Sequence, residues 1–198
     1  MKLKPGQRLP FKRRRMKKTD YRARLALLKS GLPRLVVRRG NDNIHVQLVQ
    51  YAESGDKTVL EEISKNLRKL GWRCHCGSVP AAYLIGYLIG HKSVETGFKK
   101  AVLDMGLQSA TKGNTLYAVV KGASDAGLDI PADEASLPDE SRVRGEHIAA
   151  WAGKLKGSPA YARQFGKSDV ENIVKNFEEV KSKIGGMFKS KFDASNRG

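Results

Sequence analysis

Three carboxylates fall on neighbouring predicted elements, where they could hold metal ions. Asp104 ends a predicted buried strand over Ala101 to Met105, and Glu62 and Asp125 lie on elements nearby. In an α/β fold, such a cluster could bind two metal ions and cleave a phosphodiester. No second carboxylate has a spacing that demands convergence on Asp104, and Asp104 could equally cap the turn before Gly106. We therefore expect no catalytic residue.

Cys74-His75-Cys76 is a second set with metal-binding chemistry. A closed zinc site needs four ligands, usually in two pairs, and the sequence offers no second pair. We expect two free cysteines, because their spacing is too short for an easy disulfide. The loop from Gly106 to Gly113 lacks the Walker spacing of a nucleotide-binding loop. Some of its polar side chains precede a predicted helix and could meet a phosphate, although a plain turn explains them as well: Ser109, Thr111, Lys112 and Asn114. We expect no metal, no cofactor and no small-molecule substrate.

Positive charge is concentrated at one end of the chain. The 198 residues carry 37 Lys and Arg against 20 Asp and Glu, a formal net charge of +17. Residues 1–39 contain 15 Lys and Arg and a single acid, Asp20, a net charge of +14 that leaves +3 for the rest. Like charges at this density keep a segment extended until it meets a polyanion. The sequence therefore predicts a polyanion-binding N-terminal arm.

Nucleic acid and an anionic membrane surface are the two polyanions that fit such an arm. A membrane-binding helix needs a broad apolar face, but the apolar residues of the arm form no helical stripe, and Pro5 and Pro10 interrupt them. No apolar run approaches the ~20 residues that span a bilayer, and no signal peptide is recognisable, so we expect a cytoplasmic protein without a membrane partner. Four arginines among residues 8–15 favour structured RNA, because guanidinium groups fork across phosphate oxygens and stack on bases. The competing interpretation of this Lys- and Arg-rich segment is a nuclear-type localisation signal or a solubilising tail.

Strands and helices alternate behind the arm. A short helix is predicted over Thr19 to Lys29, with Thr19 or Asp20 as its cap. The turn Asn41-Asp42-Asn43 predicts a hairpin between two β-rich runs. In the second run Ile44, Val46 and Leu48 share one face, opposite His45, Gln47 and Val49. The predicted strands are Leu35 to Arg38, Ile44 to Tyr51, the start of Lys57 to Lys65 (which passes into a helix) and Ala101 to Met105.

Two longer helices are predicted over Pro80 to Phe98, capped by Ser78, and over Thr115 to Gly127, capped by Asn114 or Thr115. Gly86 and Gly90 permit the close approach of another element, most simply the sheet. Residues 125–140 hold six acids and no Lys or Arg, which predicts an extended, solvated connector. Helical segments follow at Glu140 to Lys156 and Ser168 to Ile184, and residues 185–198 are expected to fray.

This order of elements predicts an α/β layered fold with a mixed sheet, a basic N-terminal arm and a helical C-terminal extension. The domain boundaries that we expect are residues 1–32 for the arm with its short helix, 33–130 for the α/β core, and 131–198 for the acidic connector and the helical extension.

Ordered blocks along residues 8–150 resemble the archaeal large-subunit ribosomal protein L-eighteen family, whose eukaryotic relative is called L-five. The blocks include Arg13-Arg14-Arg15, Thr19-Asp20-Tyr21, Arg24-Leu25, Leu27 to Gly31, Pro33 to Val36, Pro80 with Ala82 to Leu84 and Gly86, Ala101 to Asp104 with Gly106-Leu107 and Ser109, Gly122-Ala123, Asp125 to Pro131, and Arg144-Gly145 with His147 to Ala149. The last 45 or so residues and the Cys-His-Cys segment lie outside the resemblance.

The resemblance implies a structural, non-enzymatic protein that binds 5S rRNA. It implies anchoring of that RNA to 23S rRNA in the central protuberance of the large ribosomal subunit, contacts with neighbouring ribosomal proteins, and a ribonuclease-H-like topology without catalytic carboxylates. The expected RNA-binding residues are Arg13, Arg14, Arg15, Lys17, Lys18, Tyr21, Arg22, Arg24, Arg34, Arg38, Arg39, His45 and Gln47. The alternatives are a metal-dependent nuclease of ribonuclease-H type and a general nucleic-acid-binding protein.

Overall fold

A mixed sheet forms the centre of the fold. In this computed structural model residues 8–166 and 168–195 are described, and side chains are described up to residue 188. The described part contains strands β1 (Arg34–Arg39), β2 (Ile44–Gln50), β3 (Lys57–Ile63) and β4 (Val102–Asp104), in the order β3-β2-β1-β4. β2 is antiparallel to β1 and to β3, whereas β4 is parallel to β1. The predicted α/β class, mixed sheet and hairpin are confirmed.

One face of the sheet is apolar because side chains alternate along each strand. Ile44, Val46 and Leu48 of β2 are fully buried, as are Leu35 and Val37 of the adjacent β1. The predicted division of β2 into two faces is confirmed. At the other edge, β3 leads into a 3₁₀ helix, Ser64–Leu70, so the predicted passage from strand to helix is also confirmed.

Helices α3 (Val79–Glu95) and α4 (Thr115–Asp125) cover this apolar face. The Ser78 side chain caps α3 by accepting a hydrogen bond from the Ala81 amide, and Asn114 caps α4 by accepting one from the Tyr117 amide. Both caps satisfy amides that a helix leaves without internal partners. The two predicted helices and their caps are confirmed.

The glycines of α3 face α4, so the expectation that they approach the sheet is wrong. A Cβ atom on Gly86 would lie 2.1 Å from the carbonyl oxygen of Val119, and one on Gly90 would lie 2.8 Å from that of Ala123. The contact is reciprocal, since a Cβ on Gly122 of α4 would lie 2.1 Å from the Tyr83 carbonyl oxygen. The missing side chains thus allow two helix backbones to touch.

The acidic segment after α4 is more closely packed than predicted. Asp125 still belongs to α4, Ile130 is buried, and Leu137 packs against the core. A 3₁₀ turn, Glu134–Ser136, interrupts the segment, and Lys121 of α4 donates a hydrogen bond to the Pro138 carbonyl at 2.8 Å. The segment expected to be an extended, solvated connector is therefore only partly so. Its six acids are exposed, but apolar residues between them hold it against the body.

The C-terminal part is helical, as predicted, but its boundaries differ. The helices are α5 (Glu140–Arg144), α6 (Glu146–Leu155), α7 (Pro159–Phe165) and α8 (Ile173–Ser195). Gly145, at φ +86°, separates α5 from α6, and α7 was not predicted. α8 packs on α3, with the buried Phe177 ring 5.5 Å from that of Tyr83. The expected fraying from residue 185 is wrong as far as Ser195, and residues 196–198 lie outside the described part.

In the described residues, none of the helices has the length and apolar character needed to span a membrane.

Candidate nucleic-acid interface

Two short helices organise the basic arm. α1 (Lys12–Arg15) and α2 (Tyr21–Leu28) are joined by a turn in which Lys17 has φ +51°, a conformation uncommon for any residue but glycine. Asp20 caps α2: its Oδ1 accepts hydrogen bonds from the amides of Arg22 at 2.8 Å and Ala23 at 3.1 Å. The predicted helix and its Asp20 cap are confirmed, whereas α1 was not predicted.

The exposed cations of the arm lack acidic partners among the described residues, whereas the half-buried Arg24 pairs with Asp56. In the part of the chain that the structure describes, Arg13 is held by a hydrogen bond from its Nε to the Thr19 hydroxyl at 2.8 Å, and no acid lies against it. Tyr21 packs on Phe11, with ring centroids 5.1 Å apart. The side chains of the other cations have no hydrogen bond or ion pair among the described residues: Arg14, Arg15, Lys17, Lys18 and Arg22. Their charge is therefore unneutralised.

The second face of the sheet brings further predicted residues together. Arg34, Val36 and Arg38 of β1 point away from α3 and α4, and they lie opposite Val49, Gln47 and His45 of β2 respectively. α2 lies beside this face, which leaves a groove of about 780 Å³ between arm and sheet. The groove is lined by the predicted residues Arg13, Lys18, Arg24, Arg34, Arg38 and Gln47, together with Asp20, Asp56 and Asp104.

A chain of ion pairs forms the floor of this groove. Asp56 accepts from Arg24 at 2.8 Å and from Arg34 at 2.5 Å. The other nitrogen of the Arg34 fork donates to Asp104 at 2.7 Å, and Asp104 also accepts from Arg38 at 2.9 Å. Arg24, Asp56, Arg34, Asp104 and Arg38 therefore alternate in sign. They tie α2 to strands β1 and β4 and to the turn before β3.

Asp104 stays ionised inside this network. Burial would raise the pKa of its carboxyl group, but hydrogen bonds and charge from Arg38, the Gly106 amide and Arg34 outweigh burial and hold the pKa below its usual value. The Gly106 amide donates to Asp104 Oδ1 at 2.9 Å. The alternative interpretation of Asp104 as the cap of this turn is therefore confirmed.

The three carboxylates considered for metal binding are engaged separately. Glu62 pairs with Lys92 of α3 on the covered face of the sheet, whereas Asp104 belongs to the opposite face. Asp125 accepts a hydrogen bond from the Tyr83 hydroxyl at 2.6 Å. Across residues 8–166 and 168–195, no group of three or more His, Cys, Asp or Glu side chains is placed to hold a metal ion.

Other predicted site residues separate into different environments. Arg34 is 4% exposed, and its guanidinium is taken up by the ion pairs with Asp56 and Asp104. The Arg38 side chain, in contrast, is 44% exposed. His45 is exposed and Gln47 is half-buried, and neither side chain has a hydrogen bond in the described structure. Arg39 follows the alternation of β1 to the side of α3 and α4, away from Arg38.

The cysteines are free, as expected, and both are buried. Burial, with smaller contributions from Asp169 and Cys76, raises the pKa of the Cys74 thiol to about 12. Its Sγ lies 3.2 Å from the Asp169 carbonyl oxygen. Cys74 is therefore a protonated thiol within a contact between the core and the C-terminal extension, and it has no nucleophilic character near neutral pH.

Sequence reasoning missed Asp56, which sits in the turn before β3. Its partners Arg24 and Arg34 lie 32 and 22 residues away along the chain. No local pattern links such distant residues. The available signal was weaker: Asp56 is an acid near a strand end, in a protein whose N-terminal charge is almost wholly positive.

Fold and site together define an α/β protein that presents an unneutralised basic arm beside one polar sheet face. Comparison with known proteins agrees with this class. The model of the family described as "Ribosomal large subunit proteins 60S L5, and 50S L18" matches residues 7–98 and 95–133. A curated relative from Methanococcus maripaludis, "Large ribosomal subunit protein uL18", is 48% identical over 183 residues, which cover 89% of this chain and 95% of the relative.

The chain belongs to this family of large-subunit ribosomal proteins. The family supports a structural role in the large ribosomal subunit, and the resemblance inferred from the sequence is confirmed. The matched residues include the arm, the sheet and α3.

Proposed function

We propose that this protein binds 5S rRNA and anchors it to 23S rRNA in the central protuberance of the large subunit, in the cytoplasm and beside other ribosomal proteins. The observation that carries this proposal is the arm, whose exposed cations have no acidic partner among the described residues. A structural role, with no catalytic step, accords with the family.

The arm supplies most of the affinity in this proposal. Arg13, Arg14, Arg15, Lys17, Lys18 and Arg22 contact phosphates. Each neutralised phosphate releases a condensed counterion, so binding weakens steeply as salt rises. Because these side chains have no ion pair among the described residues, the RNA replaces none of the described ion pairs when it binds them.

The polar sheet face supplies the more selective contacts. The side chains of His45 and Gln47 have no hydrogen bond among the described residues, and Arg38 is partly exposed next to them. These side chains therefore suit base edges in irregular RNA. Tyr21 packs on a base or sugar at the edge of the arm. Arg39 remains a proposed RNA contact, although it lies on the other side of β1.

Arg24 and Arg34 act as positioning residues here. Arg34 is buried between two aspartates, and Arg24 shares one of them, so together they fix α2 and the arm relative to the sheet. The strand order and the parallel β4 support a ribonuclease-H-like topology. Asp104, bound by two arginines, is a structural counter-ion in that topology.

Competition binding tests the proposal. Full-length protein is incubated with labelled 5S rRNA at about 150 mM salt, and unlabelled 5S rRNA, an unrelated structured RNA or duplex DNA is added. We expect 5S rRNA to compete at concentrations at least tenfold lower than the others, since pure phosphate binding shows little preference. If all three competitors displaced the labelled 5S rRNA at the same concentration, the protein would be a general nucleic-acid-binding protein and the proposal would be wrong. Mg²⁺-dependent cleavage of the RNA, abolished by Asp104→Asn, would replace it with a nuclease.

A further inference from the structure

A second group of unpaired cations lies outside the groove between arm and sheet. Arg39 at the end of β1, Lys112 before α4 and Arg142 in α5 line a cleft of about 370 Å³ beside the starts of α3 and α4. All three residues are exposed. Their side chains have no hydrogen bond or ion pair within the described part of the chain. No aspartate or glutamate lines the cleft.

This composition contrasts with two other groups of arginines in the body. The ion chain below α2 balances three arginines with two aspartates, and Arg144, two residues from Arg142, pairs with Glu140 and Glu178. Three cations without a counter-ion repel one another, and a bound anion would relieve that repulsion. The cleft is therefore positively charged and suited to bind a phosphate.

The uncharged lining also suits a sugar–phosphate backbone. Thr111 is exposed, and its hydroxyl has no partner within the described structure. His147 lies beside it in the lining. Burial, and then the charge of Arg142, lower the pKa of His147, so its neutral imidazole adds hydrogen-bonding capacity rather than further charge. Phosphate oxygens and 2′-hydroxyls are the groups that such side chains bind.

The cleft is continuous with the arm. A hollow of about 650 Å³ shares Arg39, Thr111, Asn114 and Thr115 with the cleft, and it also includes Leu107 and Gln108. Leu107 and Gln108 in turn line the groove between arm and sheet. Leu107 also borders the hollow formed by Arg14, Lys17 and Arg22. One path therefore runs from the arm, over the Leu107–Gln108 turn, to the three cations.

We propose that Arg39, Lys112 and Arg142 form a second phosphate-binding site that holds the backbone of the same RNA whose other part lies on the arm. This inference rests on the proposed function, because it takes the occupant of the arm to be 5S rRNA. An acidic protein segment would also satisfy the charges. Continuity with the arm groove favours RNA.

The test compares two double variants of the full chain. Lys112→Gln/Arg142→Gln removes two cations from the cleft. Lys57→Gln/Lys99→Gln is the matched control, since both lysines are exposed and have no side-chain partner in the described structure. Lys57 begins β3, Lys99 precedes β4, and neither lines the cleft. No side chain of either pair has a hydrogen bond or ion pair among the described residues, so both proteins should fold, which thermal unfolding verifies.

Affinity for 5S rRNA is measured between about 50 and 300 mM salt. For the cleft variant we expect about a tenfold loss at 150 mM and a slope of log affinity against log salt that is shallower by ~1.4–1.8, as for two lost phosphate contacts. The control should change affinity less than twofold. The charge-conserving variant Lys112→Arg/Arg142→Lys should retain most of the affinity.

The outcomes separate the two proposals. If wild type shows no preference for 5S rRNA, the proposed function fails. If wild type binds 5S rRNA selectively while the cleft variant matches the control, the second site is overturned and only the arm binds this RNA. Unchanged RNA binding with impaired binding to a large-subunit protein would assign the cleft to a protein partner and would equally overturn the inference.

Discussion

The two faces of the sheet are built from the same strands but have opposite character: one is buried and apolar, and the other is charged and polar. On the covered face, Leu35, Val37, Ile44, Val46 and Leu48 are fully buried beneath α3 and α4, whose backbones touch through glycines. On the other face, charged and polar side chains form an ion chain beside an exposed basic arm. The first face belongs to the buried hydrophobic core that stabilises the fold. The second presents charge without loosening the core.

The alternation of β1 divides its arginines between these environments. Arg34 and Arg38 belong to the ion chain, and Arg39 points to the cleft near α3 and α4. Substitutions on the covered face should therefore change the free energy of unfolding. Substitutions of the unpaired cations should change only RNA affinity.

The largest stability effect is expected where α3 meets α4. Gly86→Ala places a Cβ 2.1 Å from the Val119 carbonyl oxygen, which cannot move without its helix. We expect a loss of about 3 kcal/mol in the free energy of unfolding, at the upper end for overpacking, measured by urea denaturation. Gly153→Ala in α6 is the control: its Cβ meets nothing within 4 Å, so the better helix former should be neutral or stabilising. Equal stability of the two variants would contradict the close helix contact.

A smaller effect is expected in the ion chain. Asp104→Asn removes the charge between Arg34 and Arg38, although Arg34 keeps Asp56 as a partner. We expect a loss of about 2 kcal/mol, as for a buried charged hydrogen bond that loses one partner, measured at pH 7 in urea.

The pH dependence of that variant sharpens this prediction. The folded pKa of Asp104 lies below its ordinary value of 3.8, so its contribution to stability is full above that value and is lost as the pH falls through the folded pKa. The stability gap between wild type and Asp104→Asn should be constant from pH 8 to about 5 and shrink below about pH 4. A gap that grows in acid would contradict an ionised Asp104.

The smallest stability effect is expected at α2. Arg24→Gln breaks a partly exposed ion pair with Asp56, and it should cost about 0.5 kcal/mol. Arg22 lies two residues away, and its side chain has no partner among the described residues. Arg22→Gln should leave thermal stability unchanged and weaken binding to 5S rRNA. If Arg22→Gln destabilised the fold more than Arg24→Gln, the distinction between positioning and contacting arginines would be wrong.

Local sequence patterns were sufficient to predict strand β2, the caps of α3 and α4, and the basic arm. The two-residue period of β2, the caps Ser78 and Asn114, and the charge density of the arm each depend on neighbouring residues. Such features are readable without tertiary information. The glycines of α3 predicted the close approach of another element, but only the fold shows that this element is α4.

The ion chain and the cleft were not predictable in this way. Arg34 meets Asp104 across 70 residues of chain, and Arg39, Lys112 and Arg142 come from three distant segments. We expected Arg34 and Arg39 to contact the same RNA, whereas the alternation of β1 places them on opposite faces of the sheet. Apolar residues such as Leu137 were likewise hidden among acids in the segment predicted to be a solvated connector.

Removal of the arm tests the central claim most directly. Affinity for 5S rRNA is measured against salt for the full chain and for residues 19–198, which keep Asp20, α2 and the ion chain. We predict unchanged thermal stability, at least a hundredfold weaker binding at about 150 mM salt, and a markedly shallower salt slope, because Arg13, Arg14, Arg15, Lys17 and Lys18 are lost. Equal affinity and an equal slope for the two proteins would contradict the claim that the arm binds the RNA.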